Sequence, residues 1–168
     1  MTEPLKAVNF YKRDLLRGCP HNLKADGELF LHPAETANPA AYVTRMFDTR
    51  DPDCTFNRLT VDGEFEGVRL EVVVAAADTP DAVVDDRDAD LSELLADPGV
   101  DPARKRELLC ALRHVRAVDC TDLLLHSLTG RYVWIYAGAY PAGECDWTLR
   151  GLRLSWSYPT AAGGLSSG

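Results

Sequence analysis

Few residues in this chain have the type and spacing that chemistry demands. Cys19-x-His21, with His32 beyond it, offers the thiolate and imidazole ligands that transition metals take. Without a second spaced pair they fall short of a zinc site, and a buried thiol with surface histidines is the plainer reading. Asp48-x-x-Asp51-x-Asp53 offers hard oxygen ligands of the kind calcium takes, as do Asp78, Asp81, Asp85, Asp86, Asp88 and Asp90. The first group lacks the glycine and closing glutamate of a calcium loop, so the two read as a polar turn and a solvated loop. His114 and His126, the latter followed by Ser127, are candidate general bases, but no G-x-S-x-G elbow accompanies them. Phosphate-cradling glycine patterns are missing too. No catalytic, cofactor-binding or metal-binding residue is therefore assigned, and a non-enzymatic protein is expected. The remaining candidates are aromatic: Tyr132, Trp134, Tyr136 and Trp147 would make a sugar-stacking platform if they shared an exposed face.

Three of those aromatics lie on the stretch that most constrains the fold, Gly130-Arg-Tyr-Val-Trp-Ile-Tyr-Ala-Gly-Ala-Tyr140. Tyr132, Trp134, Tyr136 and Tyr140 occupy even positions, while Val133, Ile135, Ala137 and Ala139 occupy odd ones. Successive side chains of a strand point to opposite faces, so one face is aromatic and the other aliphatic. A strand apolar on both faces belongs where both are covered, which places Trp134 between two stacked β layers. The expected core is Tyr42, Phe56, Leu59, Leu70, Val72, Val74, Leu124, Val133, Trp134, Ile135, Leu152 and Leu154.

The elements around this strand follow from turn and periodicity signals. Gly18 to Asn22 reads as a turn, and Gly27–His32 and Ala40–Phe47 as strands. Residues 54–61 and 68–76 read as a β-hairpin, with Asp62-Gly63 as the turn and Gly67 as a second turn point. Asp90 caps a helix carrying Leu91, Leu94 and Leu95, which Pro98-Gly99 stops. Asp101-Pro102 opens a second helix with Leu108, Leu109 and Leu112 as its apolar stripe. Strands resume at 115–118, 123–126 and 132–140, and a last one runs from Trp147 to Tyr158. Its apolar positions change parity at Gly151, as a β-bulge requires. This is the pattern of a mainly β protein, a β-sandwich or jelly roll of antiparallel sheets with a short two-helix insertion at about 88–113. Residues 1–159 are expected to form one such domain, and 160–168 a flexible tail.

Composition narrows the function classes. The chain has 168 residues, enough for one domain with a sizeable core. Its net charge of −8 disfavours nucleic-acid binding, which needs a positive surface. No run of about 18 apolar residues exists to span a membrane. The first residues lack the apolar core of a signal peptide, so a cytoplasmic start is expected. Five cysteines with no C-x-x-C pair argue against a disulfide framework.

Three segments carry a family resemblance. They are Phe47-Asp-Thr-Arg-Asp-Pro-Asp-Cys-Thr-Phe-Asn-Arg-Leu-Thr-Val61, Leu123-Leu-Leu-His-Ser-Leu-Thr-Gly-Arg-Tyr-Val-Trp-Ile135, and Leu149-Arg-Gly-Leu-Arg-Leu154 running on to Tyr158-Pro159. In that order the chain resembles a module of phage tail proteins of contractile tail-like particles, such as baseplate proteins of phage-tail-like bacteriocins and contractile injection systems. The pattern has a D-x-R-x-P turn (Asp48, Arg50, Pro52), then an aromatic and an R-L pair (Phe56, Arg58-Leu59). A G-R-Y-x-W strand (Gly130, Arg131, Tyr132, Trp134) and a closing strand ending in Y-P follow. The match spans roughly residues 41–159. Related tail proteins continue past the closing strand into a further domain, whereas this chain stops soon after it.

The resemblance implies a structural protein that assembles in the cytoplasm into a tail-like particle. It would dock onto other tail or baseplate subunits, with no cofactor and no catalytic residue. The alternative is a carbohydrate-binding β-sandwich that takes a cell-surface glycan on the aromatic face. A hydrolase using His126 or His114 would need a carboxylate or thiol beside the imidazole.

Overall fold

A computed structural model of the chain describes residues 5–27, 30–80 and 90–158. In chain order its elements are β1 (Leu5–Tyr11), α1 (Arg13–Leu16), β2 (Cys19–His21), β3 (Leu23–Ala25), β4 (Leu31–Pro33), β5 (Ala40–Val43), β6 (Phe47–Asp48), β7 (Cys54–Glu64) and β8 (Val68–Ala77). They continue with α2 (Leu91–Ala96), α3 (Pro102–Cys110), β9 (Arg113–Val118), β10 (Asp122–Leu124), β11 (Thr129–Gly130), β12 (Tyr132–Pro141) and β13 (Thr148–Ser157). The expected tail at 160–168 and most of the aspartate-rich loop lie outside the described residues.

The strands form two antiparallel sheets, a β-sandwich as the sequence pattern requires. The first runs β10-β7-β13-β4-β3, with β1 also on β13 and β11 on β7. The second runs β2-β5-β12-β8-β9, with β6 beside β5 on β12. Between the sheets lies the main core, where Tyr42, Phe56, Leu59, Val72, Val74, Val133, Ile135, Leu152 and Leu154 are buried together. Burying each such side chain contributes about 1.5–3 kcal/mol.

The expected hairpin of 54–61 and 68–76 does not form. β7 passes straight through Asp62-Gly63 and pairs with β13, while β8 crosses to the other sheet and pairs with β12. The reversal sits at Phe65–Gly67, where Gly67 takes a φ of +82°, a conformation glycine adopts without strain. A side chain at Gly63 would overlap the Thr148 carbonyl oxygen, so that glycine serves close strand approach. Opposite it the register of β13 slips between Leu149 and Gly151, the bulge that the parity change requires.

Both faces of β12 are covered, but by different layers. Val133, Ile135 and Ala139 face the other sheet. Trp134 and Tyr136 face outward and pack with Ala41, Val43, Val73 and Ala75 beneath Leu91, Leu95, Leu108 and Leu109 of the two helices. The placement of Trp134 between two β layers is thus corrected: the ring is fully buried, under a helical lid. Periodicity shows that a face is covered and cannot say by which element.

The helices start where their caps predict. The Asp90 carboxylate accepts the Ser92 and Glu93 N–H groups, and that of Asp101 accepts the Ala103 N–H, ahead of Pro102. Leu124 is a second correction. It is 65% exposed, while its neighbours Leu123 and Leu125 are buried. A run of leucines carries no parity signal, so the inward pair cannot be read from it. Cys19–His21 forms a short edge strand rather than a turn, paired with β5. The strand expected at 40–47 is interrupted at Thr44, whose hydroxyl accepts the Ile135 N–H.

Candidate binding cleft

The sugar-stacking platform does not assemble on the surface. Trp134 is 0%, Tyr136 2% and Trp147 4% exposed, and only Tyr132 is half-buried. Trp134 and Tyr136 lie under the helices, whereas Trp147 packs against Phe65 in the inter-sheet core. Aromatics at strand period cover core more readily than they display rings.

The metal and nucleophile candidates also separate. Cys19 is buried, with the His21 Nε2 atom at 3.6 Å and the Lys105 ammonium donating to its sulfur at 3.1 Å. His32 lies elsewhere, its Nε2 2.6 Å from Asp26. Its other nitrogen is 3.5 Å from the Thr148 hydroxyl, at the limit of a hydrogen bond. His114 is exposed and turned onto the Leu112 carbonyl, and His126 is exposed. Among the described residues no group of three or more His, Cys, Asp or Glu could hold a metal.

The aspartate turn has a structural task instead. Asp48 forms a bidentate pair with Arg131, at 2.8 and 3.0 Å. Arg131 holds its carboxyl below the usual aspartate range. Asp51 accepts from the Trp156 indole at 3.0 Å and from Lys6. Thr49 donates to the Arg131 carbonyl at 2.7 Å, and the Cys54 thiol to that of Gly130 at 2.9 Å. Burial pushes that thiol up to about 11, so it is inert at neutral pH. Parts of all three resemblance segments therefore meet at one corner of the sandwich. Asp48 belongs to the first segment, Arg131 to the second, and Trp156 to the closing strand.

The sequence offered no group of polar side chains on the outer face of the second sheet, yet one forms there. The helices cover only part of the outer face of the second sheet. The rest, together with the start of α3, lines an open cleft of about 500 Å³. On β8 its floor carries Arg69 and Glu71; on β12 it carries Tyr136 and Tyr140; Arg116 joins from β9 and Arg106 from α3. Glu71 is 4% exposed and is the hub. Arg106 donates to its two oxygens through Nε at 2.6 Å and Nη2 at 3.0 Å, and Arg116 donates through Nε at 2.5 Å. Burial alone would raise the Glu71 carboxyl, but the two guanidiniums outweigh it and hold it below the usual range. The Tyr140 hydroxyl adds a contact to Glu71 at 3.3 Å and lies 3.0 Å from the Tyr136 hydroxyl. Burial and that neighbour push the Tyr136 phenol well up. The lining offers guanidinium and phenol donors and carboxylate acceptors, a set that provides hydrogen bonds and charge. Its size is within the range of small-ligand clefts.

Sequence reasoning missed this site. Arg69 and Glu71 read as the solvent face of a half-buried strand, and nothing local says that two arginines from other elements meet that face. The signal was the acid itself, alone in Leu70-Glu-Val-Val-Val74.

No protein-family model matches the chain, and no curated protein matches it. Similar solved structures do exist. A Glycosylation Associate Protein (Gap123) complex from Streptococcus agalactiae aligns with TM-score 0.51 and 11% identity over 94% of this chain. The chain spans about a quarter of that one's length, 26%. A xylan-binding module, CBM86, from Roseburia intestinalis aligns with TM-score 0.43 and 5% identity, covering 92% of this chain and 96% of that one. The xylan-binding module CBM15 aligns with TM-score 0.39 and 11% identity, covering 95% and 100%. At these identities the likeness concerns the β-sandwich fold alone.

Proposed function

We propose that the chain is a non-enzymatic building block of a contractile tail-like particle, baseplate-associated, which works by docking onto neighbouring subunits. The observation that carries this reading is the contact between the three resemblance segments at one corner. Asp48, Arg131, Asp51 and Trp156 come from three distant segments and close one corner. None of the three structures named above is a tail protein; the reading rests on the motif residues. The outer face of the first sheet supports docking. Leu5 and Leu124 stand there 66% and 65% exposed, lining a shallow groove with Asn57, Arg58 and Arg153. Isolated exposed leucines are ordinary, but a pair in one groove fits a contact surface. Assembly in the cytoplasm belongs to the same proposal. The test is co-expression with tube, sheath and baseplate proteins of a contractile tail-like particle, followed by size-exclusion chromatography. Co-elution with a baseplate protein, weakened by Leu124→Arg, is expected. Separate elution from all of them at low and moderate salt would overturn the reading.

A second reading, saccharide recognition, is favoured by the cleft. A half-buried tyrosine beside fixed arginines and a carboxylate suits a hydroxyl-rich ring, which needs stacking surface and paired donors and acceptors. It replaces the lost platform of Tyr132, Trp134, Tyr136 and Trp147 with Tyr140 and its neighbours. It is compatible with a module on the cell-facing side of a particle. Silence on a broad glycan array would remove it.

A further inference from the structure

We propose that the cleft between β8, β12 and α3 takes the carboxylate of an acidic saccharide, a uronate, in preference to its neutral counterpart. The proposal rests on the saccharide reading and adds the charge of the ligand.

The cleft is lined by three arginines, Arg69, Arg106 and Arg116, and three acids, Glu71, Asp101 and Glu107, and they are not engaged alike. One carboxylate, Glu71, serves two guanidiniums, Arg106 and Arg116. Glu107 is occupied with Arg104 at 3.5 Å, and Asp101 gives an oxygen to the α3 cap. Arg69 adds a further cation, two residues from Glu71 on the same face of β8, with no side-chain partner among the described residues. While the acids of the cleft are each engaged, Arg69 and the terminal nitrogens of Arg116 are the charged donors left to meet an anion.

The donors are also held ready. Arg116 spends only its Nε on Glu71, which leaves both terminal nitrogens as a fork of the kind that grips a carboxylate in two places. Arg106 spends Nε and Nη2 and keeps Nη1. Because Glu71 is buried and hydrogen-bonded, it orders these side chains before any ligand arrives, so less entropy is lost on binding. Tyr140 lies at the same place to meet the sugar ring. A side chain at Gly138 would collide with the Tyr136 hydroxyl and ring, so the glycine lets Tyr136 lie across the floor and reach Tyr140.

The test is isothermal titration of the whole chain with oligogalacturonate, with its methyl ester, and with a glutamate-rich peptide of equal charge. The acid should bind, and more weakly as salt rises. The ester should bind about tenfold or more weakly, since a charge-assisted contact is lost. Arg69→Gln should weaken binding of the acid by a similar factor without lowering the melting temperature, because Arg69 holds no part of the fold together. Arg69→Lys should retain part of the affinity. Equal affinity for acid and ester, with Arg69→Gln harmless, would overturn the proposal and leave the saccharide reading standing. Binding of the peptide in preference to the uronate would also overturn it, in favour of a protein carboxylate. No binding of acid, ester or any arrayed glycan would remove the saccharide reading together with the proposal.

Discussion

Glu71 is an acid placed in an apolar strand, and the two arginines that reach it turn a desolvation cost into a fixed hydrogen-bond hub. Its folded-state pKa is depressed, so its contribution to stability is fully present above the ordinary glutamate range. That contribution is lost as pH falls through the lower folded value. Glu71→Gln should therefore cost about 1–3 kcal/mol near neutrality, since it leaves two guanidiniums short of their partner. The gap between the variant and the native chain in urea midpoint should narrow as pH falls through the lowered folded value, where the native carboxyl is protonated as well. A gap independent of pH would show that the pairing does not stabilise the fold. Lys105 is the contrasting case. It is fully buried, and its one side-chain partner among the described residues is the Cys19 sulfur. Nothing in the sequence around Lys105 distinguishes it from the half-buried Arg104 or Arg106, because burial there depends on which face of α3 meets the sheet.

At the scale of elements, β12 and the two short helices depend on each other. The aromatic face of β12 would lie open without the lid, and neither helix is long enough to persist alone in water. Trp134 is the centre of that contact. Trp134→Ala should cost about 3–5 kcal/mol in denaturant unfolding. Trp134→Phe should cost much less, because the indole N–H has no partner among the described residues. An alanine variant within about 1 kcal/mol of the native chain would mean that the lid is not packed as described. These elements were largely legible beforehand. The caps at Asp90 and Asp101, the alternation of β12 and the bulge at Gly151 are local signals read by local rules. The hairpin over 54–76 was misread for the same reason. Asp-Gly is a turn signal only if the chain reverses there, and close contact with β13 holds it extended instead.

At the scale of the whole molecule, the corner around Asp48 ties segments that are far apart in the chain. Asp48→Ala removes both bonds from Arg131 and the turn contact to the Arg50 N–H. It should lower stability by about 1–2 kcal/mol as a single cooperative shift seen equally by near- and far-ultraviolet circular dichroism. Two separated transitions would mean that the corner unfolds on its own and does not join the sheets. The corner and the cleft lie on different parts of the sandwich, so the cleft should still bind its ligand in that variant.

The sequence by itself determined the mainly β class, the central apolar strand, both helix starts and the absence of a recognisable catalytic motif. These depend on neighbours in the chain, where side-chain period, capping and backbone freedom act over a few residues. Only the tertiary structure decided that β7 and β8 belong to different sheets, that helices rather than strands bury Trp134, and that Arg69, Glu71, Arg106, Arg116 and Tyr140 meet in one cleft. Such contacts join residues distant in sequence, and no local signal records which distant element supplies the partner.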